Sequence, residues 1–457
     1  YTGPWDVADL SDPPVVTWGT TTQHPTYTLK EMYYSGVDYQ GQSTRVFAYY
    51  AVPANATGPL PAIVLAHGGG GAAFDDWAAQ WAGYGYAAIA VDLRGNGPGG
   101  VRLPDGGPEM TGTSLFGDIG HIRDMWPYHA VSAVIKAVSA AAAQPEVDPA
   151  KIGVMGISWG AYATAIAAGL DERVQFAMPV YGSGFYNEGS TWQNALRGMA
   201  ESHRNEWIRH FDARQYVGQA DMPTLWATGT NDTNSYLDSW NKTQRMASGP
   251  RTLRLIKDWP HDHWPAWQTP EFRVFADAVV RGGTPLLTVA DFGSGGGNAW
   301  ADYAGGRTVA GAELIYTTDT GIYPNRSWTS VAAAVDASNR RVSAAVPAGA
   351  TAYYFNITDS SGHIISSGME EVIAVPRVEA EDFKAGGAGT AYYVPVPGNV
   401  GGAYRHEDVS LFASQDTAYS NGYAVGATQQ GEWLAYDVRI PRTNAYHFDF
   451  AVATADG

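Results

Sequence analysis

The sequence predicts an α/β domain with a mainly parallel sheet covered by helices on both faces. A β-sandwich and a second, partial β-sandwich follow it. Three observations carry this prediction. From about residue 60 to Gly283, buried apolar runs alternate with helical segments. Such alternation marks parallel strands joined by crossover helices. After Gly283 the helical pattern stops, and short β-type runs separated by turns take over. The chain is also 457 residues long, beyond the ~250–300 residues at which a single core stops growing.

The elements follow in order. Short β-rich segments, "VVTW", "YTLKEMYYSG" and "TRVFAYYAVP", occupy Val15 to Pro53. "AIVLAHGGGG" (62–71) reads as a buried strand running into glycines, and "DWAAQWAGYG" (76–85) as a helix. "YAAIAVDLRGNG" (86–97) is a second buried strand, ending in Asp92 and Arg94. A helix is expected over 125–145, where a proline stops it. "KIGVMG" is a third strand and "AYATAIAAGL" (161–170) a helix. "FAMPVYG", "PTLWATGTND" and "TLRLIKDWPH" add three strands, and "EFRVFADAVVRGG" (271–283) closes with an amphipathic helix. Residues 181–220 are too long for a simple connection and are expected to form a helical cap. The expected domains are therefore 1–283, 284–376 and 377–457. The middle one is read as a spacer or interaction module. The last stops abruptly after "YHFDFAVATADG" and reads as cut short.

Composition excludes several function classes. Net charge is −17, so a nucleic acid or an anionic membrane is not an expected partner, because both need a positive face. There is no cysteine, which removes disulfides, thiolate metal sites and cysteine nucleophiles. No apolar run approaches the ~20 residues of a membrane span. The chain begins at Tyr1 without a basic-then-apolar leader. The expectation is a secreted protein numbered after a processed signal. Sixteen Trp and 27 Tyr suit either β-rich packing or the stacking of flat rings on sugars.

The chemistry centres on "GISWG" (156–160), set where a strand ends and a helix begins. G-x-S-x-G there is a nucleophile elbow, with Ser158 lifted on a sharp turn. The helix N-terminus adds positive potential beside the hydroxyl. Three features strengthen the reading. "HGGGG" (67–71) can bring backbone N–H groups to a developing oxyanion. The amides of Gly69 and Trp159 are the expected donors. Asp232 in "ATGTNDTN" and His261 in "DWPHDHWPAW" each follow a strand, giving the chain order Ser, Asp, His. A serine hydroxyl is a poor nucleophile at neutral pH, and an imidazole oriented by a carboxylate supplies the missing base. Asp258 and Asp262 rival Asp232 as the acid. His263 rivals His261 as the base and otherwise reads as a rim residue. "HDH" could also hold zinc if a third ligand such as His121 came close. Asp92 and Arg94 read as a structural ion pair or loop anchor. Trp192, Trp207, Trp259, Trp264 and Trp267 are candidates for the pocket lining.

The segments "AHGGGG", "VDLRGNG", "KIGVMGISWGAYATAIAAGLDERVQFAMPVYG" and "PTLWATGTND" resemble an α/β-hydrolase of the acetylxylan esterase and dienelactone hydrolase type. The resemblance spans roughly residues 30–283. It implies Ser158 as nucleophile, Asp232 as acid and His261 as base. "PHDHW" departs from the commoner single-histidine form. "VEAEDF", "NVGGAYRHEDVSL" and "YAVGATQQGEWLAYDVRIPRTNAYHFDFAVA" are similar to a family 6 carbohydrate-binding module. That implies a structural calcium, with Glu379 and Glu381 as ligands, and Tyr404 as a sugar-stacking ring. The expected function is a secreted serine esterase acting on acylated polysaccharide, foremost an acetylxylan esterase, with no cofactor for catalysis. The alternatives are a feruloyl or glucuronoyl esterase, a peptidase related to prolyl oligopeptidases, and a non-catalytic glycan-binding protein.

Overall fold

The computed structural model describes residues 1–117, 119–372, 378–415 and 422–438. The chain divides into two compact units, Tyr1–Val372 and Ile373–Gly457.

A nine-stranded sheet organises the first unit. Its strands are β1 (Val16–Gln23), β2 (Tyr27–Ser35), β3 (Arg45–Pro53), β4 (Leu60–Ala66), β5 (Ala87–Val91), β6 (Val147–Ile157), β7 (Val174–Val180), β8 (Thr224–Gly229) and β9 (Arg251–Ile256). Their order is β1-β2-β3-β5-β4-β6-β7-β8-β9. The first three strands and the β3–β5 junction are antiparallel, and every pair from β5 to β9 is parallel. Sequence order reverses around β4. Such a switch opens a crevice at the carboxyl ends of the neighbouring strands, and here those ends are the glycine loop after β4 and the turn after β6.

Period-two alternation explains how the sheet carries helices on both faces. Ala62, Val64 and Ala66 of β4 join one core, and Ile63 and Leu65 join the other. The helices are α1 (Val7–Ser11), α2 (Asp75–Gly83), α3 (Gly112–Phe116), α4 (Trp126–Ala142), α5 (Trp159–Leu170), α6 (Gln193–Arg197), α7 (Glu201–Phe211), α8 (Leu237–Met246), α9 (His263–Trp267) and α10 (Glu271–Val280). The first core packs against α4 and α5, and the second against α2 and α10. Helix α4 is buried along almost its whole length, which fits its alanine-rich, nearly uncharged sequence.

The helices expected at 76–85, 125–145, 161–170 and 271–283 are present with shifted ends. Helix α5 starts two residues earlier than expected, directly after Ser158. Helices α1, α3, α8 and α9 have no counterpart among the expected elements. The segment 181–220 contains α6 and α7, joined to shorter turns.

Residues 288–371 form two antiparallel sheets. One has the order β10-β11-β15-β14, from Thr288–Gly295, Asn298–Ala304, Arg341–Ala345 and Ala334–Asp336. The other has β13-β12-β16-β17, from Thr329–Ala332, Val309–Thr317, Ala352–Asp359 and Ile364–Ser366, with β18 (Glu370–Glu371) on β16. The expected spacer is instead packed into the first unit. Leu314, Phe355 and Ile365 belong to the same core as α2 and α10. Trp328, Tyr354 and Met369 belong to the core on the other face.

In the second unit, β19 (Tyr392–Tyr393) pairs with β22 (Trp433–Leu434), and β20 (Leu411–Ala413) with β21 (Tyr423–Val425). A small core of Phe383, Ala391, Tyr392, Val409 and Leu411 supports them. Much of the expected partial module, including all of 439–457, lies outside the described residues.

Candidate active site

Strand β6 delivers Ser158 and α5 carries the chain away. Between them Ser158 sits at φ 58° and ψ −119°, a conformation that costs an L-residue of order 1–3 kcal/mol. The glycines on either side make this turn possible by their lack of Cβ. A Cβ on Gly156 would lie 2.2 Å from the Gly160 carbonyl oxygen, and one on Gly160 would lie 2.0 Å from the Ala66 carbonyl oxygen. The elbow therefore packs its own backbone against the end of β4. The Ser158 N–H donates to the Val180 carbonyl at 2.7 Å, which ties the turn to β7. The Ser158 side chain stays partly exposed between buried Ile157 and Trp159.

The structure brings Ser158, His261 and Asp232 together. His261 Nε2 lies 2.8 Å from Ser158 Oγ. His261 Nδ1 lies 3.0 Å from each carboxylate oxygen of Asp232. The Asp232 side chain is fully shielded from solvent. It is also held from behind. Its Oδ1 accepts from the amides of Asn234 and Ser235 at 2.8 and 2.9 Å, and Thr228 Oγ1 donates to its Oδ2 at 3.3 Å. A carboxylate fixed by these donors holds the imidazole in the tautomer that leaves Nε2 free to accept. The Tyr181 ring packs at 4.7 Å from the His261 ring, and the Tyr181 hydroxyl donates to the Pro260 carbonyl at 2.8 Å. Tyr181 was not among the residues singled out in the sequence. Its signal is its place at the end of β7, at φ 63°.

The rivals go elsewhere. Asp258 is exposed and pairs with Lys257 at 2.5 Å. Asp262 caps α9 by accepting from the Trp264 amide. His263 is not a rim residue: it is partly buried, and its Nε2 accepts the Gly68 N–H at 2.8 Å. Burial, reinforced by the neighbouring imidazole of His67, lowers its pKa to about 4. His121 is exposed, and among the described residues no three His, Asp or Glu side chains come together to hold a metal ion.

The glycine loop lies against the elbow. A Cβ on Gly68 would lie 3.1 Å from Ser158 Cβ, and one on Gly69 would lie 2.7 Å from Trp159 Cδ1. Trp159 is the first residue of α5, so its amide has no intrahelical acceptor. Among the described residues no hydrogen bond engages the Gly69 N–H or the Trp159 N–H. The Trp159 amide directly follows the serine, and the Gly69 amide lies in the loop that packs on the elbow. Asp92 is a loop anchor: its Oδ1 accepts from the amides of Arg94 and Asn96 at 2.8 and 2.7 Å.

The tryptophans divide. Trp207 is a core residue whose Nε1 donates to the Leu115 carbonyl at 2.7 Å. Trp192 packs 5.6 Å from Trp159, close to the elbow. Trp259 packs on Tyr181, and Trp264 is exposed. Trp267 stacks on Trp77 at 5.6 Å. Those two rings line a separate cavity of about 440 Å³ between α2 and α10 that none of Ser158, Asp232 and His261 borders.

In the second unit Glu381 is buried and Glu379 partly so. A pair of carboxylates suits a hard cation but supplies only part of the 6–8 oxygens calcium takes. Tyr404 is exposed, with its hydroxyl 2.5 Å from Asp382 Oδ1 and its ring 4.7 Å from Tyr423.

Residues 19–198 match the family model described as acetyl xylan esterase. That span includes the glycine loop and Ser158 but ends before Asp232 and His261. Among solved structures the chain is similar to the acetyl xylan esterase from Paenibacillus sp. R4, at 23% identity and a TM-score of 0.51, over 60% of this chain and 92% of that one. It is similar also to acetyl xylan esterase 1 from Thermoanaerobacterium sp. JW/SL YS485, at 18% identity and a TM-score of 0.45, over 57% and 92%. A CE15 glucuronoyl esterase from Teredinibacter turnerae T7901 shares 15% identity at a TM-score of 0.41, over 59% and 79%. No curated protein sequence matches the chain. The likeness to the Paenibacillus structure shows the α/β-hydrolase fold. The family match over residues 19–198 supports a carboxylic ester hydrolase and bears out the acetylxylan esterase-type resemblance read from the sequence.

Proposed function

We propose that the chain is a secreted serine esterase that removes acyl groups from plant polysaccharide, with acetylated xylan as its leading substrate. The observation that carries this reading is the hydrogen-bonded line from Asp232 through His261 to Ser158, at 3.0 and 2.8 Å, on an elbow. The substrate class rests on the family match over residues 19–198.

Ser158 Oγ attacks the acyl carbonyl carbon while His261 Nε2 takes its proton. Negative charge gathers on the carbonyl oxygen, where the Gly69 and Trp159 amides donate to it. One such donor contributes about 3–4 kcal/mol to lowering the barrier. Collapse expels the sugar hydroxyl, which leaves with the proton held by His261. Water, deprotonated in turn by His261, attacks the acyl-enzyme and releases the carboxylate product. These steps need no cofactor. The C-terminal unit is read as a glycan-binding module that raises the local substrate concentration by tethering. Tyr404 offers it a stacking ring, and Glu379 and Glu381 offer oxygen ligands to a structural calcium.

The test is acetate release from acetylated xylan, run beside feruloyl, glucuronoyl and proline-anilide substrates. Acetate release is expected to dominate. Ser158→Ala is expected to lower kcat by about 10⁴–10⁶-fold with an unchanged melting curve. Turnover surviving in that variant overturns the serine mechanism. Preference for another substrate moves the assignment to that chemistry.

A further inference from the structure

We propose that His263 is a positioning residue for ester hydrolysis: with His67 it clamps the Gly68 backbone so that the Gly69 N–H is held toward the oxyanion. The inference rests on the serine-esterase reading above and adds a second histidine to it.

Glycine has the freest backbone of any residue, and Gly68 stands where freedom is costly. Its two flanking peptide groups are both pinned by imidazoles. Gly68 N–H donates to His263 Nε2 at 2.8 Å. On the other side, His67 Nδ1 lies 2.6 Å from the Gly68 carbonyl oxygen, which also accepts the Gly71 N–H at 2.9 Å. A peptide unit is planar and trans, so its C=O and N–H point in opposite directions. The Gly68 carbonyl and the Gly69 N–H belong to one such unit. Holding the carbonyl aims the Gly69 N–H, and holding the Gly68 N–H fixes the unit before it. Rotation at Gly68 is then restrained from both ends.

The hydrogen bonds set the tautomers. His67 Nε2 accepts the Leu93 N–H at 2.9 Å, which leaves its proton on Nδ1 to donate to the Gly68 carbonyl. His263 accepts at Nε2 and so must be unprotonated there. Burial and the adjacent His67 and His261 rings keep it neutral, against the opposing pull of Asp262. The Phe74 ring packs 5.0 Å from His263 and supplies part of that apolar wall. A protonated ring would turn the acceptor into a second donor facing an N–H, and the clamp would open. The order of the two histidines also explains "PHDHW". The first carries the proton transfer from its loop, and the second opens α9 and reaches the loop after β4.

The experiment compares wild type, His263→Leu and His263→Gln in the full chain, with p-nitrophenyl acetate as substrate. Glutamine keeps an acceptor at similar reach, whereas leucine removes it. An oxyanion donor acts mainly in the transition state, so its misplacement reads in kcat rather than KM. H263L is expected to lose about 10–100-fold in kcat with KM within about twofold, and H263Q to recover most of that. The acidic limb of kcat/KM is expected to stay where it is in wild type. If H263L fails to fold, H263A replaces it. Wild-type kcat in the acceptor-less variant, or equal loss in H263Q, overturns the clamp. A limb that vanishes with a loss above about 10³-fold would make His263 the base instead. Ser158→Ala is run alongside. Turnover surviving there strikes the underlying reading, whereas an unimpaired H263L with an inactive S158A strikes the clamp alone.

Discussion

In the proposed mechanism Asp232 acts without touching substrate. Two backbone amides and a threonine hydroxyl donate to its carboxylate, and both oxygens face His261 Nδ1. Replacing it with asparagine keeps the volume and an acceptor but removes the charge that stabilises an imidazolium. The amide NH₂ would also present a donor to Nδ1, which favours the wrong tautomer. Asp232→Asn is expected to lower kcat by about 10³–10⁴-fold, to shift KM little and to leave a folded protein, checked by steady-state kinetics beside a thermal melt. This residue was legible in the sequence because its position after a strand, between a serine and a histidine, is a matter of order. The clamp on Gly68 was not legible, because the two partners are 195 residues apart and neither lies in a motif that names the other.

Two elements carry buried imidazoles that prefer to stay neutral: α4 through His129 and α9 through His263. Burial lowers the His129 pKa from 6.5 to about 4, with the Arg123 backbone carbonyl and Asp124 pulling weakly the other way. The Tyr39 ring meets it edge-on at 5.5 Å. A folded pKa below the unfolded one means the unfolded chain binds more protons between the two values. The stability these groups allow is therefore complete above about pH 6.5 and is lost as pH falls toward 4. For His129 alone the loss by pH 5 is about 2 kcal/mol. The urea midpoint is expected to be lower at pH 5 than at pH 7, and the drop to shrink in His129→Asn. An unchanged midpoint would mean that neither ring gains a proton on unfolding. At this scale the sequence was partly readable. Helices α2, α4, α5 and α10 show their apolar faces plainly. Helix α8 does not, since Asn241, Thr243 and Gln244 are buried on it and interrupt the periodicity that signals a helix. Asn241 uses that burial to exchange hydrogen bonds with Met369, at 2.9 Å from its Nδ2 to the Met369 carbonyl and 3.2 Å from the Met369 amide to its Oδ1.

The sandwich over 288–371 closes the first unit rather than trailing from it. Residues 286 and 287 and the inner faces of β12 and β16 share a core with α2 and α10. Beyond apolar packing, the sandwich meets the element ends that hold Asp232 and His261. Asn231, next to Asp232, donates to the carbonyls of Pro324 and Arg326 at 3.1 and 2.6 Å. Leu255 near the end of β9 donates to Ser366 Oγ at 2.8 Å, and the Glu271 carboxylate at the start of α10 accepts the Ile364 amide at 2.8 Å. The acid loop and the strand leading to His261 are thus braced from a region the sequence assigned to a separate domain. Short alternating strands announce a sandwich, but they do not announce what its apolar faces press against. A chain ended at Gly283 would expose apolar residues of the shared core and leave Asn231 and Glu271 without these partners. Contiguous apolar surface of that kind drives association. Such a chain is expected to aggregate or melt without cooperativity, whereas one ended at Val372 keeps its fold and its hydrolysis of p-nitrophenyl acetate. Soluble yield, thermal melting and kcat of the two chains measure this. Full activity in the shorter chain would show that the triad stands without its brace, and the sandwich would then revert to a tethered module.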